Sequence, residues 1–255
     1  MAEPIYIKSP SEIELMRQAG KITAGARTIA RQAVHDGIST KQIDRHVHDF
    51  ITKNGAYPTF LNYNGFPGSA CISVNDCLIH GIPDSYRLKE GDIVSIDLGS
   101  KYHGFHGDSA RTWAVGEIPE ETKKLIKVTR QSFFEGIKMA RLGNRIGDIS
   151  HAIGSYAKSF GYGVPLDYTG HGVGRELHES PAVPNDGIAG TGVRLRAGMT
   201  LAVEPMITMG SARTYARSDG WYVRTYDGKL CAHYENTFVI TDGEPEIFTL
   251  LDDEK

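Results

Sequence analysis

The two halves of this chain repeat one pattern of apolar and acidic residues. The segment 88–97, LKEGDIVSID, matches 195–204, LRAGMTLAVE, at a constant offset of 107, and 106–108, HGD, matches 233–235, HYE, at an offset of 127. This repeat predicts two halves with related folds. It also brings four carboxylates to equivalent places in the two halves: Asp97, Asp108, Glu204 and Glu235.

Two helices are predicted before the strands of each half. Residues 9–12 form an N-cap with a capping box, and apolar residues at helical spacing extend the first helix to about residue 35. A second helix is predicted over 43–51 and stops at Gly55. The same elements return after residue 118, where 143–161 matches 37–55 at an offset of 106.

The order of these elements predicts the fold class. Helices grouped before hairpin-like strands predict an α+β fold in which an antiparallel sheet is covered by helices. Since no Pro- or Ser-rich linker separates the halves, we expect one domain over 1–255 with pseudo-symmetric halves at about 9–118 and 119–250. An extra projecting hairpin is predicted around 221–223, between the turn signals Asp219–Gly220 and Asp227–Gly228.

Composition argues against several classes of partner. The net charge is −3 over 255 residues, with acidic and basic residues mixed, so neither nucleic acid nor an anionic membrane surface is expected to bind. No segment approaches the ~20 apolar residues of a membrane span, and the start does not resemble a signal peptide. Cys71, Cys77 and Cys231 lack a Cys-x-x-Cys spacing and are expected to be reduced thiols. We therefore expect a cytoplasmic protein.

The four repeated carboxylates require a compensating positive charge, because acids are depleted in strands and costly to bury unpaired. A turn at 102–103 would place Asp97 and Asp108 directly opposite each other, where like charges destabilise a sheet. No Lys or Arg is patterned beside them, whereas two divalent ions would neutralise all four acids. For any single acid a solvent-facing strand position is the ordinary interpretation; the duplication favours metal. Pro205, directly after Glu204, predicts a sheet edge or a bulge.

The histidines divide into candidates and ordinary surface residues. His171 and His178 are seven residues apart, so a strand would direct them to opposite faces, with different roles. Taken alone, each of them fits both a hydrogen-bonded structural histidine and a metal ligand. His103 and His106 flank the predicted turn and stay open. Four more histidines lie in predicted helices and are interpreted as surface residues: His35, His46, His48 and His151.

Short motifs occur in order along nearly the whole chain: SVND at 73–76, HGIP at 80–83, ID at 96–97, GFHGD at 104–108, HGVG at 171–174, EPM at 204–206 and Glu235. This series resembles the type I methionine aminopeptidases, in the form found in bacteria. The resemblance implies a "pita-bread" fold of two related halves with a dinuclear metal site between them. The metal ligands that it implies are Asp97, Asp108, His171, Glu204 and Glu235, with Asp108 and Glu235 bridging.

The resemblance also implies a reaction. A hydroxide held by two divalent ions would attack the carbonyl carbon of the N-terminal methionine in a nascent protein or peptide whose second residue is small. Glu204 would transfer the proton to the leaving amine, and His80 and His178 would bind the substrate and stabilise the oxyanion. The implied substrate-binding residues are Tyr63, Phe66, Cys71, His80, Leu177, His178 and Trp221. Phe66 and Leu177 depart from the Tyr and Phe common in enterobacterial members of the family, and Gly99 replaces a frequent Thr near the first ligand.

Several features stay open at this stage. Four carboxylates and one imidazole suit Co, Mn or Fe, and the ligand set does not choose among them. We expect a monomer whose contact with the ribosome, if any, is transient. Two other functions compete: a binding protein that kept the fold without the chemistry, which would usually lack ligands, and a peptidase of the same fold that cleaves before proline, which would usually have a further N-terminal domain.

Overall fold

A computed structural model describes residues 4–218 and 220–251 of the chain. Four α-helices occur within these ranges: α1 (Pro10–Ala33), α2 (Thr40–Lys53), α3 (Glu120–Lys138) and α4 (Ile146–Ser159). None of these described helices combines the length and apolar character that crossing a membrane requires. A short 3₁₀ turn, Tyr63–Gly65, follows the first helical pair.

The helix starts follow the sequence prediction. The Ser9 side chain accepts the backbone N–H of Glu12, and the Glu12 carboxylate accepts the backbone N–H of Ser9, so both arms of the capping box form. Helix α1 ends at Ala33, close to the predicted limit. Helix α2 ends just before Gly55, whose φ of 73° turns the chain out of the helix.

The strands form small sheets in which all pairs are antiparallel. They are β1 (Tyr57–Pro58), β2 (Ala70–Val74), β3 (Cys77–Ile79), β4 (Ile93–Tyr102), β5 (Phe105–Ala114), β6 (Thr169–Gly172), β7 (Glu179–Pro184), β8 (Thr200–Val203), β9 (Met206–Thr208), β10 (Thr214–Ala216), β11 (Val223–Thr225), β12 (Cys231–His233), β13 (Asn236–Val239) and β14 (Glu246–Ile247). In the first half β4 pairs with β1, β2 and β5. In the second half the strand order is β14-β13-β8-β6-β7, and β9 pairs separately with β12.

Asp97 and Asp108 lie on the hairpin of β4 and β5, but the predicted register is wrong. Asp97 pairs with Ala110 because the turn is centred one residue later than predicted, on His103–Gly104, where φ is 46° and 86°. The two acids are therefore diagonal neighbours on one face of the sheet, offset by two residues, and not a directly facing pair.

The extra hairpin predicted in the second half is formed by β10 and β11. Thr214–Ala216 pairs antiparallel with Val223–Thr225. Asp219, one of the predicted turn residues, lies outside the described residues. Because β11 also pairs with β3 of the first half, the hairpin extends a sheet and does not project freely. This pairing brings Trp221 against Phe66.

Apolar clusters fill the space between helices and sheets in both halves. One packs α1 and α2 against β2 and β4, and another packs α3 and α4 against β8 and β13. A further cluster joins α1 to strands from both halves: Met16, Phe105, Val173, Ala202, Val239 and Phe248. Burial of these side chains fixes the two sheets relative to each other at the place where the acidic strands meet.

Helix α1 packs directly on the strand that bears Asp108. Ser100 Oγ donates to Ala19 O over 2.8 Å and lies 2.7 Å from Thr23 Oγ1, so buried hydroxyls link the helix to the hairpin. Gly107 permits this approach, because a Cβ at that position would lie 2.8 Å from Gly20 N. The position of Asp108 therefore depends on a glycine contact.

Replacing Gly107 tests this contact. We expect Gly107→Ala to lower the free energy of unfolding by about 1–3 kcal/mol, because the added methyl meets helix backbone that cannot rotate away. Urea unfolding followed by circular dichroism measures the change. Gly243→Ala is the matched control, since its nearest neighbour would be 4.0 Å away; an equal loss in both variants would contradict the explanation.

Candidate metal centre

Four carboxylates and one imidazole converge on a cavity of about 190 Å³. Asp97 lies in the middle of β4, Asp108 in β5, and His171 in β6. Glu204 follows β8 directly, and Glu235 occupies the link between β12 and β13. All five side chains line this one cavity, so the structure brings together the whole set that the resemblance implies as ligands.

Pro205 marks a break between strands. Strand β8 ends at Val203 and β9 begins at Met206, so Glu204 is outside the ladder of either strand. Its backbone carbonyl accepts a hydrogen bond from Asn185 Nδ2 over 3.0 Å. The break turns the carboxylate toward the cavity, which agrees with the predicted effect of a proline after an acidic residue.

The carboxylates are held where their negative charges are unfavourable. Burial, then the charges of neighbouring acids, raises the pKa of Asp97, Glu204 and Glu235 well above the ordinary values. Burial raises the pKa of Asp108 to about 7. Within the described part of the chain, Asp97 Oδ1 and Asp108 Oδ1 are buried without a hydrogen-bond partner. Oxygen atoms left in this state are well suited to bind cations.

His171 has the protonation state and direction that a metal ligand requires. Burial lowers its pKa to about 3, so the ring is neutral at pH 7. Its Nδ1–H donates to the carbonyl of Gly172 over 2.9 Å, which leaves the Nε2 lone pair free to bind. Nε2 lies 3.9 Å from Asp108 Oδ2 and 3.7 Å from Glu204 Oε1. One ligand atom each of Asp108, His171 and Glu235 fall within 4.8 Å of one another, so the set fits divalent cations.

Buried side chains form hydrogen bonds to the backbone of Asp108 and Glu235 and hold both residues in place. Thr237 Oγ1 accepts the N–H of Asp108 over 2.9 Å and donates to its carbonyl over 3.0 Å. Arg111 Nη1 and Ser109 Oγ donate to the carbonyl of Glu235 over 2.6 and 2.9 Å. Sequence patterns did not reveal Arg111, although it follows Asp108 by three residues, because its partner is distant along the chain.

His178, a candidate substrate-binding residue, lies at the same cavity as His171. The rings of His171 and His178 are 4.3 Å apart, so the prediction of opposite faces was wrong. That prediction assumed one continuous strand, whereas β6 ends at Gly172 and the chain loops back before β7. Tyr63 Oη lies 2.7 Å from His178 Nδ1, which fixes the orientation of that ring.

His80 is held by an unusual backbone conformation. Its φ is 60°, in the left-handed region that costs a residue other than glycine about 1–3 kcal/mol. Burial lowers the pKa of His80 to about 4 and also lowers the pKa of His178, so both imidazoles are neutral at pH 7. A neutral imidazole has one N–H donor, and both rings line the cavity.

An apolar pocket adjoins the carboxylates. The rings of Phe66 and Trp221 meet edge to face at 5.1 Å. Cys71 pairs with Asp97 across β2 and β4, and burial together with that acid raises the pKa of Cys71 well above its usual value, so the thiol is neutral. The predicted pocket residues Tyr63, Phe66, Cys71, His80, Leu177, His178 and Trp221 all line the cavity, together with Phe60, which sequence reasoning had missed.

His106 and His233 also lie near the site. His233 is buried, with Nε2 3.3 Å from Glu204 Oε2. His106 is buried too, and its Nδ1 lies 3.0 Å from Thr59 Oγ1. The repeat could have identified both, because each precedes a cavity carboxylate by two residues in its own half.

The contribution of Asp108 to the stability of the metal-free protein is predicted to fall as the pH rises. The pKa of Asp108 is higher in the folded state, about 7, than the ordinary 3.8, so folding favours the protonated acid. That contribution is fully present below pH 3.8 and is lost as the pH rises through about 7. Because metal ions displace these protons, added Mn²⁺ should raise the melting temperature more at about pH 8 than at about pH 5.

The variant Asp108→Asn provides the critical comparison for this prediction. It should reduce both the pH dependence and the stabilisation by Mn²⁺, whereas Asp167→Asn, an exposed acid, should change neither. Differential scanning fluorimetry with and without chelator measures all three proteins. Equal stabilisation of wild type and Asp108→Asn by Mn²⁺ would mean that the cavity is not where the ion binds.

Comparison with known proteins identifies the family to which this arrangement belongs. Residues 14–242 match the model of metallopeptidase family M24. The chain is 52% identical over 249 residues to a methionine aminopeptidase of Clostridium acetobutylicum, covering 97% of this chain and 100% of that protein. It is 47% identical over 245 residues to methionine aminopeptidase 1 of Bacillus subtilis, covering 96% and 99%.

Solved structures agree with the sequence comparison. A methionine aminopeptidase from Thermotoga maritima superposes with a TM-score of 0.95 at 46% identity, covering 96% of this chain and 99% of that one. A prolidase from Pyrococcus furiosus shares the fold, with a TM-score of 0.80 at 24% identity, and this chain covers 66% of it. The predicted pita-bread fold is thereby confirmed, and so is the family resemblance. The chain belongs to metallopeptidase family M24, among the methionine aminopeptidases.

Proposed function

We propose that this protein hydrolyses the peptide bond after an N-terminal methionine when the second residue is small. The observation that supports this most directly is the convergence of four carboxylates and His171 beside an apolar pocket lined by Phe66, Cys71 and Trp221. The first group suits a hydrolytic metal centre, and the second suits a flexible thioether side chain. Similarity to methionine aminopeptidases over almost the whole chain supports the same activity.

Two divalent ions would be held by Asp97, Asp108, His171, Glu204 and Glu235. When bound, such ions act as Lewis acids and supply a nucleophile at neutral pH by lowering the pKa of water. Oxygen donors with one imidazole favour Mn, Fe or Co over a thiolate-type zinc site, and among these three the ligand set makes no choice.

The protein side chains would orient the substrate and move its protons. Glu204 lines the same cavity and would take up a proton and release it to the leaving amine. His80 and His178 would donate hydrogen bonds to carbonyl oxygens of the peptide, where negative charge develops during hydrolysis. Tyr63 would keep the His178 ring in the donating orientation.

The pocket would select the first residue of the substrate. Phe66, Leu177 and Cys71 are almost fully buried in one cluster, with Tyr63 and Trp221 packed against it. An unbranched thioether can adjust to such a lining and gains favourable contacts between sulfur and aromatic rings. We further propose that the substrates are the N-termini of nascent chains in the cytoplasm, that the protein works as a monomer, and that any contact with the ribosome is transient.

Hydrolysis of defined peptides tests the proposed activity. After reconstitution with Mn²⁺, Fe²⁺ or Co²⁺, the protein should release methionine from Met-Ala-Ser, because the proposed pocket suits a methionine side chain and the reaction needs the metal site. It should leave Ala-Pro-Ala, which has no N-terminal methionine, intact. Chromatography of the products measures both reactions. Cleavage of only the proline peptide would favour the alternative peptidase, and cleavage of neither by metal-loaded protein would favour a binding protein.

His178 has a separable role in this proposal. His178→Ala should lower kcat by about 10²–10³-fold, the cost of losing one donor to the developing oxyanion, while metal content measured by elemental analysis stays at the wild-type level. His46→Ala, an exposed helix residue, is the control and should retain full activity. Loss of metal from His178→Ala would show that the residue acts as a ligand instead.

A further inference from the structure

Lys8, in the segment before α1, reaches the loop that bears Leu177 and His178. Its side chain is almost completely buried, with 4% exposure, and Nζ forms an ion pair with Oε2 of Glu179, whose side chain is also 4% exposed. The backbone N–H of Lys8 donates to Gly198 O over 2.9 Å, which anchors the segment to the second half. Lysine and glutamate are rarely buried to this extent unless they are paired.

Glu179 connects this ion pair to the loop. Its other carboxylate oxygen, Oε1, accepts the backbone N–H of Arg175 over 2.8 Å and that of Glu176 over 3.2 Å. We name residues 173–178, between β6 and β7, the peptide-binding loop. One carboxylate thus holds two successive amides of this loop, directly before Leu177 and His178.

Further contacts hold other backbone groups of the peptide-binding loop. The N–H of His106 donates to Gly174 O over 2.8 Å, and Gly174 N–H donates to Glu176 O over 3.0 Å. Arg175 reaches outward, where Nη2 lies 3.0 Å from Glu12 Oε1 on the surface. The buried anchor of the amides of Arg175 and Glu176 is therefore the Glu179 carboxylate.

We propose that Lys8 and Glu179 are positioning residues, which hold the peptide-binding loop so that Leu177 and His178 meet the substrate. This inference rests on the proposed aminopeptidase function for its catalytic part. Lys8 compensates the buried charge of Glu179 and fixes the direction of its carboxylate. The carboxylate in turn orders the loop before any substrate arrives, so the loop does not have to be ordered during binding.

Two double variants separate loop positioning from general stability. Lys8→Met/Glu179→Gln removes both charges but keeps a side-chain oxygen that can accept the two loop amides. Lys8→Met/Glu179→Met also removes both charges, keeps a similar volume and has no acceptor. Since replacing a buried ion pair by apolar residues of similar volume is often tolerated, both proteins should fold. Lys123→Met, at an exposed ion pair with Glu120, is the control for a single lysine substitution.

The first measurement is amide hydrogen exchange by mass spectrometry, which does not depend on activity. Peptides that cover 173–178 should exchange at least about tenfold faster in Lys8→Met/Glu179→Met than in Lys8→Met/Glu179→Gln, because only the former loses the acceptor. Peptides from α4 should exchange equally in both variants and in Lys123→Met.

The second measurement is the kinetics of Met-Ala-Ser hydrolysis by the Mn²⁺-loaded enzymes. The Met/Met variant should show kcat/KM lower by about tenfold or more than the Met/Gln variant, since small misplacements of binding groups cost up to about 10²-fold. Mn²⁺ affinity, measured by calorimetry, should be equal in the two.

The outcomes separate this inference from the proposed function. Equal exchange and equal kinetics in the two variants would overturn the positioning role, and so would faster exchange with unchanged kinetics, which would assign the pair to stability alone. If wild type failed to cleave Met-Ala-Ser while the exchange difference appeared, the proposed activity would fail and the control of the loop by Glu179 would stand.

Discussion

Repulsion among carboxylates in one buried cavity is the constraint on which the rest of this structure depends. Asp97, Asp108, Glu204 and Glu235 come from four separate segments, and burial raises the pKa of each. At neutral pH without cations, such a cluster opposes folding, because each charge is desolvated and lies close to the others. Divalent cations bound in the cavity would attract all four carboxylates and so offset this repulsion. The two halves are thus joined at the place where they would otherwise repel.

Hydrogen bonds to the backbone of Asp108 and Glu235 hold this cluster in place. Thr237 clamps both backbone polar groups of Asp108, and the N–H of Glu235 donates to Ala110 O over 2.9 Å. These bonds connect the first-half hairpin to the second-half strands beside the acids themselves. Carboxylates on rigid, paired backbone cannot move apart to relieve their repulsion, so they are preorganised for cations.

Much of this arrangement could be predicted from the sequence, and the failures have physical causes. The internal repeat identified the acidic strands because it preserves the spacing between glycine turns and carboxylates. The register of β4 and β5 was wrong by two residues, since sequence did not show that His103 would take a positive φ. The assignment of His171 and His178 to opposite faces failed because a loop, and not a continuous strand, joins them. Arg111 was not identified from the sequence because its hydrogen-bond partner, the carbonyl of Glu235, is distant along the chain.

The hairpin of β10 and β11 has a consequence for how this family can diversify. It supplies Trp221 to the pocket from a segment that the first half lacks, and its β11 pairs with β3 and not with the strands that bear the acids. Trp221 and the carboxylates are therefore carried by separate pieces of chain. Natural or engineered substitutions in that inserted hairpin would therefore change which N-terminal residue is preferred and leave the carboxylates unchanged.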